Sequence, residues 1–206
     1  MNQNAIDTVK ILGWVILVFI SLCFTAYTYG YRLNTSQSYP PGVYVISEVK
    51  DQYQVQDLIL FCPPEGPIIL TALERNYINE GPCNAGTVPM IKRIAATAGY
   101  DVLLDEVIFI NGLPLSDTII QTQDRQLRPL TAFSHHGRHA FMLPPETVFV
   151  YSEYAPTHSF DSRYFGYVSV DNIHGIIKPL LLWSDIITSW EVVRLSAMYY
   201  TKKSGQ

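Results

Sequence analysis

The chain has 206 residues, 48% of them hydrophobic and only 16% charged, and its 18 acidic against 14 basic side chains leave a formal net charge of −4. That length suits one globular domain of ordinary size and argues against a second. The charged fraction falls well below the roughly 25% of an average soluble protein, and the acidic balance speaks against a binder of nucleic acid or anionic lipid that works by neutralising phosphates.

The apolar excess lies at the N-terminus. No charged side chain occurs from Ile11 to Tyr31, and at about 1.5 Å rise per residue such a run crosses the roughly 30 Å hydrocarbon layer as a helix. A cleaved secretory signal would carry a shorter apolar region of about 7–15 residues ending in small residues. Here the run ends in Tyr27-Thr28-Tyr29-Gly30-Tyr31-Arg32, an aromatic belt with a cationic stop, as in an uncleaved anchor. The expected organisation is therefore a short inner tail over residues 1–10, a transmembrane helix over 11–31, and a translocated domain over 32–206. Lys10 and Arg32 flank the run on opposite sides, so the orientation follows from the economy of exporting one large acidic domain.

Just beyond the anchor, Ser38 sits in Asn34-Thr35-Ser36-Gln37-Ser38-Tyr39-Pro40-Pro41-Gly42-Val43-Tyr44. Short β-branched or aromatic runs bounded by turn formers then predict strands at Val43–Ile46, Leu58–Phe61, Val102–Leu104, Glu106–Ile110 and Thr147–Tyr151. Asn111-Gly112 predicts a tight hairpin returning through Leu113-Pro114-Leu115. Between Pro67 and Asn79, apolar residues recur near a helical period and predict a short amphipathic helix. The fold class is mainly β, with an N-terminal transmembrane helix and one or more short helices. Gln121 to His139 reads as a polar loop. Leu180 to Trp183 and Ile186 to Trp190 are apolar but too short to span a bilayer; they read as core strands or interfacial anchors.

Cys62 and Cys83 flank a loop rich in Pro and Gly, whereas Cys23 lies in the apolar run. Two loop cysteines in an exported domain suit a disulfide; two reduced thiols are the other reading, since spacing does not fix geometry. Lys92 opens Lys92-Arg93-Ile94-Ala95-Ala96 after Val88-Pro89-Met90-Ile91. An apolar setting lowers a lysine's pKa, and only a neutral amine can take a proton from a serine hydroxyl. By itself a Lys-Arg pair is more often a charge at a strand edge. Histidines 135, 136 and 139, with 158 and 174 elsewhere, lack thiol or acidic neighbours at a metal-ligand spacing and read as a solvated loop, so neither metal nor cofactor is expected.

Three segments in order resemble the type I signal peptidases, the Ser-Lys proteases of the S26 class, and most closely their conjugative-transfer branch, the TraF-type peptidases. A Ser-x-Pro-x-Gly-x-Tyr box is matched by Ser38 to Tyr44, a lysine box by Lys92 to Ala96, and a Ser-x-Asp-Ser-Arg-x-x-Gly box by Ser159 to Gly166. The resemblance implies a signal-peptidase-like β catalytic domain with Ser38 as nucleophile and Lys92 as general base. Ser36 and the Ser38 backbone N–H would form the oxyanion hole, Ser159 would orient the amine, and Asp161 and Arg163 would brace the site as an ion pair. Two departures stand out. Tyr100 separates Gly99 from Asp101, leaving the role of Asp101 open, and Ser152-Glu153-Tyr154 replaces the Gly-Asp-Asn of general signal peptidases, which favours the conjugative branch.

By the same resemblance the enzyme is a single-pass inner-membrane endopeptidase facing the periplasm. Its partners would be the membrane lipid, an exported precursor with small residues at the cleavage site, such as a prepilin, and other components of a type IV secretion or conjugation apparatus. The alternatives are a general signal peptidase of the secretome and a catalytically silent scaffold of a secretion assembly.

Overall fold

The computed structural model describes residues 3–36, 38–50, 52–157 and 159–185. His158 and the apolar piece from Ile186 to Trp190 lie outside the described residues. Helix α1 spans Gln3–Thr28, and no residue of its apolar stretch Asp7–Thr28 is buried by the rest of the chain. An unpacked apolar helix of this length has no core to serve in water. The helix stops earlier than the apolar run does: Gly30 takes a left-handed φ of +85°, and Tyr31 opens a strand. Only glycine enters that turn without a Cβ penalty.

Among the described residues eleven strands follow, and every pairing between them is antiparallel. β1 (Tyr31–Asn34), β2 (Gly42–Glu48), β3 (Leu58–Phe61), β4 (Met90–Thr97), β9 (Thr147–Tyr151), β10 (Val168–Ser169) and β11 (Ile173–Leu182) form a seven-stranded sheet. Its order is β1-β2-β11-β3-β4-β9-β10. A smaller sheet of β5 (Asp101–Leu104), β6 (Ile108–Ile110), β7 (Leu113–Pro114) and β8 (Ala140–Met142) has the order β7-β6-β5-β8. Asn111 and Gly112 both adopt positive φ, 49° and 77°, so the β6–β7 turn is of the primed kind that matches strand twist. The mainly β class is as expected.

The predicted helix is real but shorter. α2 covers Pro67–Glu74, because Asn76 turns left-handed at φ 57° and ends the helical run. A single helical turn, α3, spans Ser162–Phe165. Strands β1, β4, β8 and β10 went unmarked in the sequence, and of β11 only the end from Leu180 was read as a core strand or anchor; β4 was missed because its eight residues are buried on both sides and carry no alternation.

Alternating side chains divide the core. Ile59, Phe61, Met90 and Ile94 face α2 and α3, while Leu58, Leu60 and Ile91 face Tyr39, Tyr44 and Ile177 on the opposite side. Ala95, Ala96 and Phe149 pack on Val102, Ile108 and Phe141 of the small sheet. β4 therefore runs through the middle of the molecule, and whatever it carries is shielded from water. Cys62, just after β3, and Cys83 form a disulfide with Cα atoms 5.6 Å apart, closing a loop whose cross-link stabilises by about 3 kcal/mol on chain-entropy grounds.

Candidate active site

Ser38 lies on the loop joining β1 to β2, a loop tied down by its own neighbours. Buried Asn34 donates through Nδ2 to the carbonyls of Tyr39 and Pro40, at 3.0 and 3.1 Å. Its Oδ1 accepts from the Ser36 N–H at 3.1 Å and the Ser36 hydroxyl at 2.8 Å. The Tyr44 hydroxyl donates to the Pro40 carbonyl at 2.6 Å. Ser38 itself is half-buried, and its carbonyl accepts from the Ser152 hydroxyl at 2.5 Å. Its own hydroxyl makes no hydrogen bond among the described residues.

Gly42 ends this loop because nothing larger fits. A Cβ there would overlap the Leu181 carbonyl oxygen and sit 2.9 Å from the Leu182 Cα, where β11 pairs with β2 in the register Leu182↔Gly42. The glycine of the first box is thus a packing requirement at the start of β2, between β1 and β11.

Lys92 is the largest change that the structure makes to an ordinary surface residue. It is 1% exposed, and its position on β4 points it to the side of Met90 and Ile94. Nζ donates to Ser159 Oγ, and no salt bridge involves it among the described residues. Burial pushes its pKa from the usual 10.5 down to about 8; the Asp161 charge opposes that fall and the Arg163 charge assists it. An amine so placed is neutral in a sizeable fraction at mildly alkaline pH.

Asp161 and Arg163, 0% and 1% exposed, form a two-pronged ion pair with both N···O distances 2.8 Å. Arg163 also donates to the carbonyls of Ile119 at 2.7 Å and Ser159 at 3.1 Å. Asp161 caps α3 through the Arg163 N–H and accepts from the Ser152 N–H at 3.3 Å. The pair thereby fixes Ser159, the partner of the amine, and Ser152, the partner of the Ser38 carbonyl. Gly166 closes the same box at φ +84°, where a Cβ would overlap the Phe133 ring.

Three neighbours were not singled out by sequence. Ser152 is wholly buried, Glu153 accepts from the Tyr39 hydroxyl at 2.7 Å, and Arg93 pairs with Glu153 while donating to the Tyr39 hydroxyl at 2.9 Å. The replaced Gly-Asp-Asn was the available signal; it marked a branch without naming a contact.

Other residues considered above lie apart. Asp101 is exposed on β5 in the small sheet. His135 and His139 bond to Tyr167 and the Phe133 carbonyl. His174 approaches Cys62 Sγ at 3.4 Å and forms with Cys62 and Cys83 the one potential metal-ligand group among the described residues, but both sulfurs are consumed by the disulfide.

A family model described as "Signal peptidase, peptidase S26" matches residues 5–183. The chain belongs to the S26 signal peptidase family. Similar proteins include the "Probable conjugal transfer protein TraF" of Sinorhizobium fredii, 32% identical over 75% of this chain and 79% of that protein. The "Plasmid transfer protein TraF" of Escherichia coli is 34% identical over 76% of this chain and 85% of its own. The "Conjugal transfer protein TraF" of Agrobacterium fabrum is 29% identical over 87% and 97%. Among solved structures, a signal peptidase I from Enterococcus faecalis aligns with a TM-score of 0.36 and 22% identity, covering 63% of this chain and 98% of that one. Membership of the S26 family makes this chain a relative of serine peptidases.

Proposed function

We propose that the chain is a membrane-anchored serine endopeptidase of the Ser-Lys type that processes exported precursors, its substrate a pilin precursor or another component of a conjugative transfer apparatus. The single observation that supports it is a fully buried lysine whose amine bonds to a serine hydroxyl and, among the described residues, to no carboxylate. Burying an unpaired amine opposes folding, so its retention points to use. In this reading neutral Lys92 takes the proton of Ser38 Oγ as that oxygen attacks the scissile carbonyl. The ammonium then gives the proton to the departing amine, leaving an acyl-enzyme that water hydrolyses with the same lysine as base. Ser159 orients the amine, and the Asp161–Arg163 pair holds Ser159.

The developing oxyanion would be met by the Ser38 N–H and by the Ser36 hydroxyl, which turns to it from Asn34; one such donor contributes about 3 kcal/mol. Residues 11–31 anchor the protein in the inner membrane, residues 1–10 form a cytoplasmic tail, and the domain from residue 32 onward faces the periplasm. The conjugative role draws on the relatives named for conjugal and plasmid transfer.

Co-expression with a candidate prepilin tests the reading. Ser38→Ala and Lys92→Ala should each abolish processing, by at least about 1,000-fold, and Lys92→Arg should be inactive because a guanidinium is no base at working pH. Unchanged processing in either alanine variant would refute the mechanism, and cleavage of many unrelated precursors would move the assignment to a general signal peptidase.

A further inference from the structure

We propose that Ser152 and Glu153 are positioning residues that clamp the Ser38 loop onto the strand carrying Lys92. This deepens the Ser-Lys reading and rests on it. The register of β4 and β9 pairs Arg93 with Tyr151, so one further antiparallel step sets Ser152 across from Lys92. At that point the two neighbours grip the loop in different ways. Ser152 Oγ donates to the Ser38 carbonyl at 2.5 Å and accepts from the Ala155 N–H at 3.2 Å, while its own N–H is held by Asp161 at 3.3 Å. Glu153 takes the Tyr39 hydroxyl at 2.7 Å and pairs with Arg93.

The three contacting pairs are sequence neighbours: Ser38 and Tyr39 on the loop, Lys92 and Arg93 on β4, Ser152 and Glu153 after β9. One grip holds a main-chain carbonyl and the other a side chain one residue on. Together they restrain both the position and the rotation of the loop about Ser38. Such restraint matters because a displacement of about 1 Å between reacting groups costs on the order of 100-fold in rate. The two grips differ in strength. Ser152 is itself fully buried and its bond to the Ser38 carbonyl half-buried, whereas the Glu153 carboxylate is 37% exposed, where ion pairs contribute little. Ser152 therefore carries most of the restraint.

Amide hydrogen exchange on the full chain in detergent reads the clamp without needing the natural substrate. In Ser152→Ala, exchange over residues 36–40 should quicken about tenfold, with the other strands and the melting temperature nearly unchanged; Glu153→Gln should quicken it about two- to threefold. With an alanine-containing precursor peptide, turnover in Ser152→Ala should fall about tenfold while KM stays within twofold. Unchanged exchange at residues 36–40 in Ser152→Ala overturns the clamp, as does wild-type turnover in that variant when Ser38→Ala is inert. Full activity in Ser38→Ala would instead defeat the Ser-Lys reading, and it leaves the exchange result to decide the clamp by itself.

Discussion

At the scale of single residues, Lys92 sets both the pH response and a conflict between activity and stability. Its folded pKa, about 8 against an ordinary 10.5, places the neutral amine within reach of mildly alkaline conditions. Precursor cleavage should accordingly rise as pH increases through about 8, and a profile that falls across that range would contradict a lysine base. The same shift runs against folding. Below pH 8 both states hold the proton and the folded protein bears the full penalty, of the order of 3 kcal/mol. Between 8 and 10.5 the unfolded chain binds more protons, so stability climbs with pH. Lys92→Met should then be inactive yet melt several degrees higher than the wild type at pH 7, with the difference shrinking as pH approaches 10.5. Differential scanning calorimetry of the two proteins across that range checks it. Sequence made the identities of Ser38 and Lys92 conspicuous through their boxes, but not the near-complete burial of the amine. Burial depends on β9 and α3 covering β4, residues more than fifty positions away in the chain.

At the scale of elements, the β2–β11 pairing beside the Ser38 loop is packed to contact. Gly42→Ala should push β11 from β2 and cost at least about 2 kcal/mol, read as a lowered urea midpoint, with cleavage falling because the strand that ends the Ser38 loop has moved. A midpoint equal to wild type would show that β11 yields without strain. The same elements show why strands were unequally legible. β3 and β9 are compact β-branched or aromatic runs closed by turn residues, and the Asn111-Gly112 hairpin declares itself by the backbone conformation it demands. β1 hid inside the tail of the apolar run, where Tyr31 read as part of a belt but pairs with Val45. β11 was interrupted in the sequence by Pro179, which the structure accommodates at a register shift against β2.

At the scale of the molecule, two parts meet at Gly30: a helix whose apolar residues all stay outside the core and a β domain with its own core. A version lacking residues 1–28 should keep the melting behaviour of the β domain and move from the membrane pellet to the supernatant in fractionation; persistence in the pellet would place the membrane affinity in the domain itself. The overall plan was readable because an uncharged run and a turn-rich β pattern look nothing alike. The closing of the large sheet was not, since β11 returns to β2 and β3 across most of the chain's length and no local pattern encodes a partner so distant.

The junction at Gly30 also works as a ruler. Only Tyr29 and Gly30 separate the end of the helix from β1, and β1, four residues long, advances about 13 Å at roughly 3.3 Å per residue. Ser38 comes four residues after its end. If the helix anchors the chain and Ser38 is the nucleophile, as proposed, a leash this short would allow no scanning of the surroundings: peptide bonds would be cut only within a shallow layer above the lipid, and a precursor would be chosen as much by the depth at which it exposes its cleavable bond as by the side chains around it.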